Sequence, residues 1–202
     1  MEEYLFYETT SKEKRADGTI MNKYERIMGQ AADLLKKNPG YKLFVTGHSL
    51  GAALASVFAF MAATETQIPS PVMCVSIASP YVGGKNFRTA FQQLEKDGKL
   101  RYLRVANQRD LVTVGPFVAL NGGMYKHVGV ELKLDKGTHS LSYPTKDYGT
   151  YFQRTWRNSL FANLGTDPAK NHSPAEYNRR LTLTEVALKS VYLEDLYSGY
   201  MK

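Results

Sequence analysis

The sequence predicts an α/β fold, in which a mostly parallel β-sheet is covered by helices on both faces. Two observations predict it. Apolar residues recur at three- and four-residue steps in several segments, as in amphipathic helices, and short β-branched and aromatic runs lie between those segments, as in strands. The two kinds of segment alternate along the chain. Such alternation is typical of parallel sheets joined by crossover helices.

The elements follow one another after a poorly patterned polar segment, residues 1–20. A helix is expected over 22–37, and Asn38-Pro39-Gly40 ends it because Pro39 disfavours the helical conformation at Asn38. Residues 135–149 are expected to form a loop, and 174–197 a helix that breaks near Leu181-Thr182. Between the helix over 22–37 and the loop over 135–149 we expect strands over 41–46, 72–77, 100–106 and 124–134, with helices over 50–63 and 86–94.

Composition limits the class of protein. The 202 residues, 43% hydrophobic and 22% charged, are expected to form one domain over 1–202. The acidic start and the short apolar runs disfavour a signal peptide or a membrane span, and a cytoplasmic location is favoured. The single cysteine, Cys74, lies in an apolar run and is expected to be a core residue; no metal or cofactor is expected.

The net charge of +7 is spread over the chain rather than massed in one stretch. No nucleic-acid motif accompanies the basic residues, so nucleic acid is not an expected partner. A solvated surface is the favoured interpretation, and an anionic membrane or lipid-droplet surface is the alternative. The oligomeric state is left open.

The strongest motif is Gly47-x-Ser49-x-Gly51, which lies between a predicted strand and a predicted helix. This setting is that of a nucleophile elbow, a tight turn on which both a base and a substrate carbonyl can reach a serine hydroxyl. The backbone N–H of Leu50, at the helix N-terminus, would stabilise developing negative charge. The alternative is that the motif only caps a helix. His48 is expected to be a packing or turn residue.

The chain resembles the class 3 lipases, the fungal-type triacylglycerol lipases of the α/β-hydrolase superfamily. The resemblance rests on T-G-H-S-L-G-A-A-L-A at 46–55, A-S-P-Y-V-G-G at 78–84, R-V-A-N-Q-R-D-L-V at 104–112 and Y-K-H-V-G-V-E at 125–131, in the order of the family. It implies an α/β-hydrolase-type fold. It also implies a serine carboxylic-ester hydrolase that acts on lipid esters, acylglycerol or phospholipid, through a Ser-Asp-His triad and an acyl-enzyme.

The acid and the base should follow the serine in that order. Asp110 comes after the third predicted strand, at the sheet edge where open α/β sheets carry their chemistry. His139 and His172 both lie on later predicted loops. His172 is favoured because 171–177 resembles the family's final D-H-x-x-x-x-Y segment, with asparagine in place of the acid. His127 is expected to lie within a strand and to be structural.

One departure from the family affects the oxyanion hole. The family has an earlier strand, ending in an F-R-G-T-type motif, that supplies a second oxyanion donor and is followed by a lid helix. Residues 1–46 are too few for both, so a fold truncated at the N-terminus is expected. Residues 4–10 are the only candidate replacement strand, with Thr9 or Thr10 as the donor. Two alternatives therefore stay open: a non-catalytic lipid- or protein-binding domain, and a fragment that lacks the upstream strand and self-associates through an exposed sheet edge.

Overall fold

The computed structural model describes residues 18, 20–115, 125–143 and 168–200. These residues form five strands and six α-helices, with a 3₁₀ turn at Val112–Val114. The elements, in chain order, are α1 Lys23–Lys37, β1 Phe44–His48, α2 Leu50–Ala62, β2 Val72–Ile77, α3 Lys85–Lys96, β3 Leu100–Asn107, β4 Val130–Leu134, β5 His139–Ser142, α4 Pro168–His172, α5 Pro174–Leu188 and α6 Leu193–Tyr200.

The strands lie in the order β1-β2-β3-β4-β5. The first three pairs are parallel and the last, β4 with β5, is an antiparallel hairpin. The predicted mostly parallel sheet is therefore confirmed. Since β1 to β4 run in the same direction, their carboxyl ends meet at one edge, and the loops that follow them lie side by side.

One face of the sheet is covered by α1, α2 and α3. The alanines of α2 that face β1 and β2, among them Ala52 and Ala59, are fully buried, and their small side chains let the helix lie close to the strands. Cys74 and Tyr102 point into this core from neighbouring strands. The prediction that Cys74 is a core residue is confirmed, and burial raises the pKa of its thiol to about 12.

The opposite face of the sheet packs against α5. Successive strand residues point to opposite faces, so Leu103 and Val105 lie on the side away from Tyr102. There they join Leu132 and the α5 residue Tyr177 in a second apolar cluster. Helices therefore cover both faces, as the sequence predicts.

The helix α1 begins and ends where its sequence indicates. The side chain of Asn22 accepts from the N–H of Glu25 at 2.9 Å, and the Glu25 carboxylate accepts from the N–H of Asn22 at 2.9 Å. This reciprocal cap satisfies two N–H groups that a helix start otherwise leaves without an acceptor. At the other end Asn38 leaves the helical conformation (φ −126°, ψ 75°), directly before Pro39.

Two strands differ from their predicted ranges. The strand predicted over 124–134 begins only at Val130, because Gly129 adopts a φ of +72° that interrupts extended backbone. His127 therefore lies outside a strand, contrary to the prediction. The strand predicted over 41–46 is β1, Phe44–His48, since Tyr41 is still held by the preceding turn through its N–H bond to Asn38 O at 3.2 Å.

The predicted loop over 135–149 is wrong in its first half, which contains β5. Asp135 and Thr138 close the β4–β5 turn with an N–H to carbonyl bond of 2.8 Å, and Gly137 supplies a φ of +87°. An aspartate followed two residues later by a glycine is a turn signal that this prediction overlooked. Residues 144–149 lie outside the described part of the chain.

The predicted helix break near Leu181-Thr182 is also wrong, because α5 continues to Leu188. The hydroxyls of Thr182 and Thr184 donate to the carbonyls of Asn178 and Arg180, at 3.0 and 3.1 Å, so these residues are accommodated within the helix. The break lies instead between Leu188 and the start of α6 at Leu193.

The last helix, α6, is anchored through Tyr197. Its hydroxyl donates to the buried carboxyl of Glu95 and accepts from the N–H of Tyr102 at 2.9 Å. Tyr143 also donates to Glu95, at 2.7 Å. Burial raises the pKa of Glu95 to about 7. Among the helices within the described ranges, none combines the length and the apolar character that crossing a bilayer requires.

Candidate active site

Ser49 lies on a strained turn between β1 and α2. Its backbone has φ +58° and ψ −125°, a conformation that costs a non-glycine residue roughly 1–3 kcal/mol. Its N–H donates to the carbonyl of Ile77 at the end of β2, at 3.0 Å, which fixes the turn to the sheet. The first N–H groups of a helix have no acceptor within it. The N–H of Leu50, the first residue of α2, is such a group.

The two glycines of the motif play different parts. A Cβ at Gly47 would lie 2.3 Å from the carbonyl oxygen of Gly51, so the strand and the helix pass too close for any side chain at 47. A Cβ at Gly51 would meet nothing within 4 Å. A side chain is therefore excluded at position 47, whereas the structure leaves room for one at position 51.

The structure brings the three predicted site residues together. His172 Nε2 lies 2.9 Å from Ser49 Oγ, and His172 Nδ1 lies 3.0 and 3.1 Å from the two carboxylate oxygens of Asp110. The Asp110 carboxylate is fully buried, whereas the His172 side chain is 22% exposed. The imidazole thus bridges the hydroxyl and the acid across 123 and 62 residues of sequence. His172 is the last residue of the short helix α4, which the sequence did not predict.

The loop after β3 is held so that Asp110 keeps its orientation. Its own carboxylate accepts from the N–H of Val112 at 2.9 Å. The carbonyl of Thr113, the residue that follows Val112, accepts from Arg104 at 2.9 Å and from His127 Nε2 at 2.9 Å. Arg104 in turn forms a buried ion pair with Glu131. His127 is therefore a structural residue, and burial together with the nearby Arg104 lowers its pKa well below the usual value.

Tyr177, on α5, positions both the acid and its strand. Its hydroxyl donates to Asp110 Oδ2 at 2.8 Å and accepts from the N–H of Asn107 at 2.9 Å. The side-chain amide of Asn107 donates to the carbonyl of Asn171 at 2.9 Å, directly before His172. Desolvation by burial and the nearby Asp110 charge raise the pKa of Tyr177, so the hydroxyl stays a proton donor. The sequence had signalled Tyr177 only through the family's final motif.

Asn171 stands where the family motif has an acid, and it is held from α5. Its side-chain oxygen accepts from Arg180 Nη2 at 2.6 Å. Arg180 is 2% exposed and also donates to the Glu176 carboxylate at 2.8 Å and to the carbonyl of Gln108 at 3.1 Å. The base and the acid loop are therefore tied to one helix.

His48 also holds the base, which the sequence did not foresee. Its Nε2 donates to the backbone carbonyl of His172 at 3.0 Å, and the two rings lie 4.9 Å apart. Its ring also meets the ring of Tyr177 edge-on at 5.8 Å. The expectation that His48 is a packing residue holds, and its packing partner is the imidazole itself.

The runner-up base, His139, is not at the site. It lies on β5, paired with Leu134, four strand spacings or about 19 Å from β1, the strand that Ser49 follows. Within the described ranges no cluster of His, Cys, Asp and Glu side chains could hold a metal ion. Thr9 and Thr10, the candidates for a second oxyanion donor, lie outside the described residues.

Comparison with known proteins gives the same family as the motifs. Residues 4–120, more than half of the chain, match the family described as lipase (class 3). Phospholipase A1-II 3 of Oryza sativa subsp. japonica is 32% identical over 135 residues, which are 62% of this chain and 30% of the relative. Phospholipase A1-Igamma3, chloroplastic, of Arabidopsis thaliana is 30% identical over 168 residues, 69% of this chain and 31% of the relative. The chain thus spans less than a third of these curated relatives.

Solved structures share the fold. Lipase II from Rhizopus niveus is 26% identical with a TM-score of 0.52, covering 74% of this chain and 54% of that one. The triacylglyceride lipase of Rhizomucor miehei is 24% identical with a TM-score of 0.51, covering 69% of this chain and 57% of that one. Both are α/β-hydrolase lipases, in agreement with the mostly parallel sheet and the elbow at its edge. This chain therefore belongs to the lipase class 3 family.

Proposed function

We propose that this chain is a serine carboxylic-ester hydrolase that cleaves lipid esters, with Ser49 as nucleophile, His172 as general base and acid, and Asp110 as the orienting carboxylate. The supporting observation is the continuous set of hydrogen bonds from Ser49 Oγ through the imidazole to the buried acid, at 2.9 and 3.0 Å. Nucleophile and base within hydrogen-bond reach, with the base held by a third group, are the arrangement that activates a serine.

In the proposed reaction, Ser49 Oγ attacks the ester carbonyl carbon while its proton passes to His172 Nε2. The new negative charge on the carbonyl oxygen is stabilised by the N–H of Leu50 and the α2 N-terminus. His172 Nε2 then gives the proton to the leaving alcohol, and the acyl group stays on Ser49. Water, deprotonated by the same nitrogen, attacks the acyl carbon; the bond to Ser49 Oγ breaks, His172 returns the proton to that oxygen, and the fatty acid leaves. Asp110 accepts the Nδ1–H throughout and stabilises the imidazolium.

The substrate class is proposed as acylglycerol or phospholipid, with phospholipid as the first to test. The names of the plant relatives favour phospholipid, and those of the fungal structures favour triacylglycerol. Release of fatty acid from phosphatidylcholine and from triolein, compared at equal ester concentration, separates the two. Hydrolysis of neither, with rapid turnover of short water-soluble esters, would contradict the lipid assignment.

The decisive experiment replaces Ser49 by alanine and Ser140 by alanine in parallel. Ser140 is an exposed serine on β5, so its substitution controls for the general effect of losing a hydroxyl. We expect a fluorophosphonate probe to label the parent and Ser140→Ala but not Ser49→Ala. Turnover of p-nitrophenyl butyrate should fall by roughly 10⁴-fold or more in Ser49→Ala.

Two results would contradict the catalytic assignment. If Ser49→Ala hydrolyses the ester as fast as the parent, another residue is the nucleophile. If the folded parent neither labels nor turns over, yet binds lipid, the chain is a non-catalytic lipid-binding domain, as one alternative from the sequence holds.

A further inference from the structure

A basic cleft lies beside the candidate active site and has no part in the proposed reaction. It encloses about 830 Å³. Five of its eight described lining residues are basic and two are acidic. They are Arg109, Asp135, Lys136, Lys170, Asn171, Glu176, Arg179 and Arg180.

The positive charge of the cleft is only partly neutralised within it. Glu176 is bound by Arg179 and Arg180, at 2.7 and 2.8 Å, and these bonds lower its pKa to about 2, so it stays ionised. With Asp135 as the second acid, five cations face two carboxylates in the cleft, and Arg109, Lys136 and Lys170 form no ion pair among the described residues. Such a concentration of unpaired cations around a cavity attracts anions.

The cleft is anchored to rigid parts of the fold. Its floor is Arg180, which is 2% exposed and fixed by the Asn171 side chain and by the carbonyls of Gln108 and Leu134, at 3.1 and 3.2 Å. Arg109 enters from the loop after β3 with a φ of +70°, a costly conformation for a non-glycine residue that often marks a functional position. Arg180 is therefore held in place before a ligand arrives, and the backbone of Arg109 is fixed beside it.

From the cleft we infer a site for a phosphate group, either that of an anionic phospholipid or free inorganic phosphate. Guanidinium and ammonium groups converging on one cavity are the usual protein ligands of phosphate oxygens. The cleft lies beyond the carboxyl ends of β3 and β4, at the sheet edge that also carries Ser49. A lipid phosphate bound there would bring this edge, and with it the serine, to the membrane surface. The choice of a lipid as one source rests on the proposed function, whereas the phosphate site itself does not.

The test uses K136Q/K170Q and a charge-matched control, K36Q/K37Q. Lys36 and Lys37 end α1, before the amino end of β1 and thus at the opposite edge of the sheet. All binding is measured in the Ser49→Ala background, so that no lipid is consumed. A failed catalytic assignment would then leave the binding result intact.

The first arm measures co-sedimentation with phosphatidylcholine vesicles with and without phosphatidic acid. We expect K136Q/K170Q to weaken binding to the phosphatidic acid vesicles by roughly 25-fold, at about fivefold per lysine. The control should weaken it by less than about threefold, because its lysines lie more than a screening length from the cleft. A circular dichroism spectrum of each variant verifies its fold.

The second arm titrates inorganic phosphate against ¹⁵N-labelled protein, with chloride at equal ionic strength as the reference. The site is supported if phosphate, but not chloride, changes the chemical shifts of the backbone amides at positions 136 and 170, and if these changes are lost in K136Q/K170Q. If phosphate changes these chemical shifts but the substitutions leave vesicle binding unchanged, free phosphate is the ligand. If K136Q/K170Q weakens binding to the phosphatidic acid vesicles, the lipid is the ligand. The inference is overturned if phosphate shifts neither amide and both double variants bind vesicles alike.

Discussion

The two glycines of the elbow allow the same substitution to be tested in two settings. Gly47→Ala places a Cβ 2.3 Å from a backbone oxygen and 2.8 Å from the N of Ala52, and real Cβ atoms essentially never approach within 3.0 Å. The strand and the helix must therefore move apart by at least 0.7 Å, the difference between 3.0 and 2.3 Å. Because the obstacle is backbone rather than a flexible side chain, no rotamer change can relieve it.

The movement acts directly on the serine, which lies between the two segments. If the 0.7 Å falls along the 2.9 Å bond from Ser49 Oγ to His172 Nε2, the atoms separate to 3.6 Å and the hydrogen bond is lost. We expect kcat for p-nitrophenyl butyrate to fall about 100-fold in Gly47→Ala. The free energy of unfolding should fall by about 1–3 kcal/mol.

The matched variant, Gly51→Ala, should behave in the opposite way. Its Cβ meets nothing within 4 Å, and alanine is favoured over glycine by about 0.5–1 kcal/mol within a helix. We expect a small gain in the free energy of unfolding, measured with urea, and a kcat within about twofold of the parent. Equal losses in Gly47→Ala and Gly51→Ala, or unchanged turnover in Gly47→Ala, would refute the steric explanation.

Two further predictions concern buried hydroxyl and carboxyl groups. Tyr177→Phe removes a donor to Asp110 and an acceptor for the N–H of Asn107. The free energy of unfolding should therefore fall by about 2–4 kcal/mol, and kcat should fall without a matching rise in KM. A loss of stability below about 1 kcal/mol would contradict this role of Tyr177. Burial raises the folded-state pKa of Glu95 to about 7, so the folded protein favours the neutral carboxyl. The free energy of unfolding should therefore fall as the pH rises from about 5 to 8, by about 3 kcal/mol at most. Glu95→Gln, which keeps an acceptor for Tyr197, should remove that part of the pH dependence of stability. Urea titrations that give the variant and the parent identical pH profiles would refute the assignment of this pH dependence to Glu95.

Local sequence signals predict the positions of Ser49 and Asp110, whereas His172 has no such signal of its own. The serine lies between a recognisable strand and a recognisable helix, and the acid follows a strand that ends at the same sheet edge. The histidine was chosen between two loop candidates only through the family resemblance, since spacing alone does not exclude His139. His139 lies on the fifth strand because residues 130–142 form the β4–β5 hairpin, where the sequence predicts a loop from residue 135.

The contacts around Ser49, Asp110 and His172 could not be predicted in the same way. Asn107 and Tyr177 are 70 residues apart, and neither position shows a pattern that requires a partner. Nor does the motif reveal that Gly47 is sterically necessary and Gly51 is not, because this depends on the angle at which β1 meets α2. The sequence does not predict that α5 continues through Thr182. A threonine whose hydroxyl donates to a carbonyl of the same helix looks, in the sequence, like a threonine at the end of a helix.

The buried face of α5 has a consequence for mutational studies of this protein. One helix supplies Tyr177 to the acid and Arg180 to the residue preceding the base, while the first apolar cluster on the far side of the sheet has no part in either. Damage to α5 should therefore reduce protein yield and specific activity together, whereas damage to the part of the far core that does not contact α2 should reduce yield alone. A random library scored for both traits would show this division as two separate groups of variants.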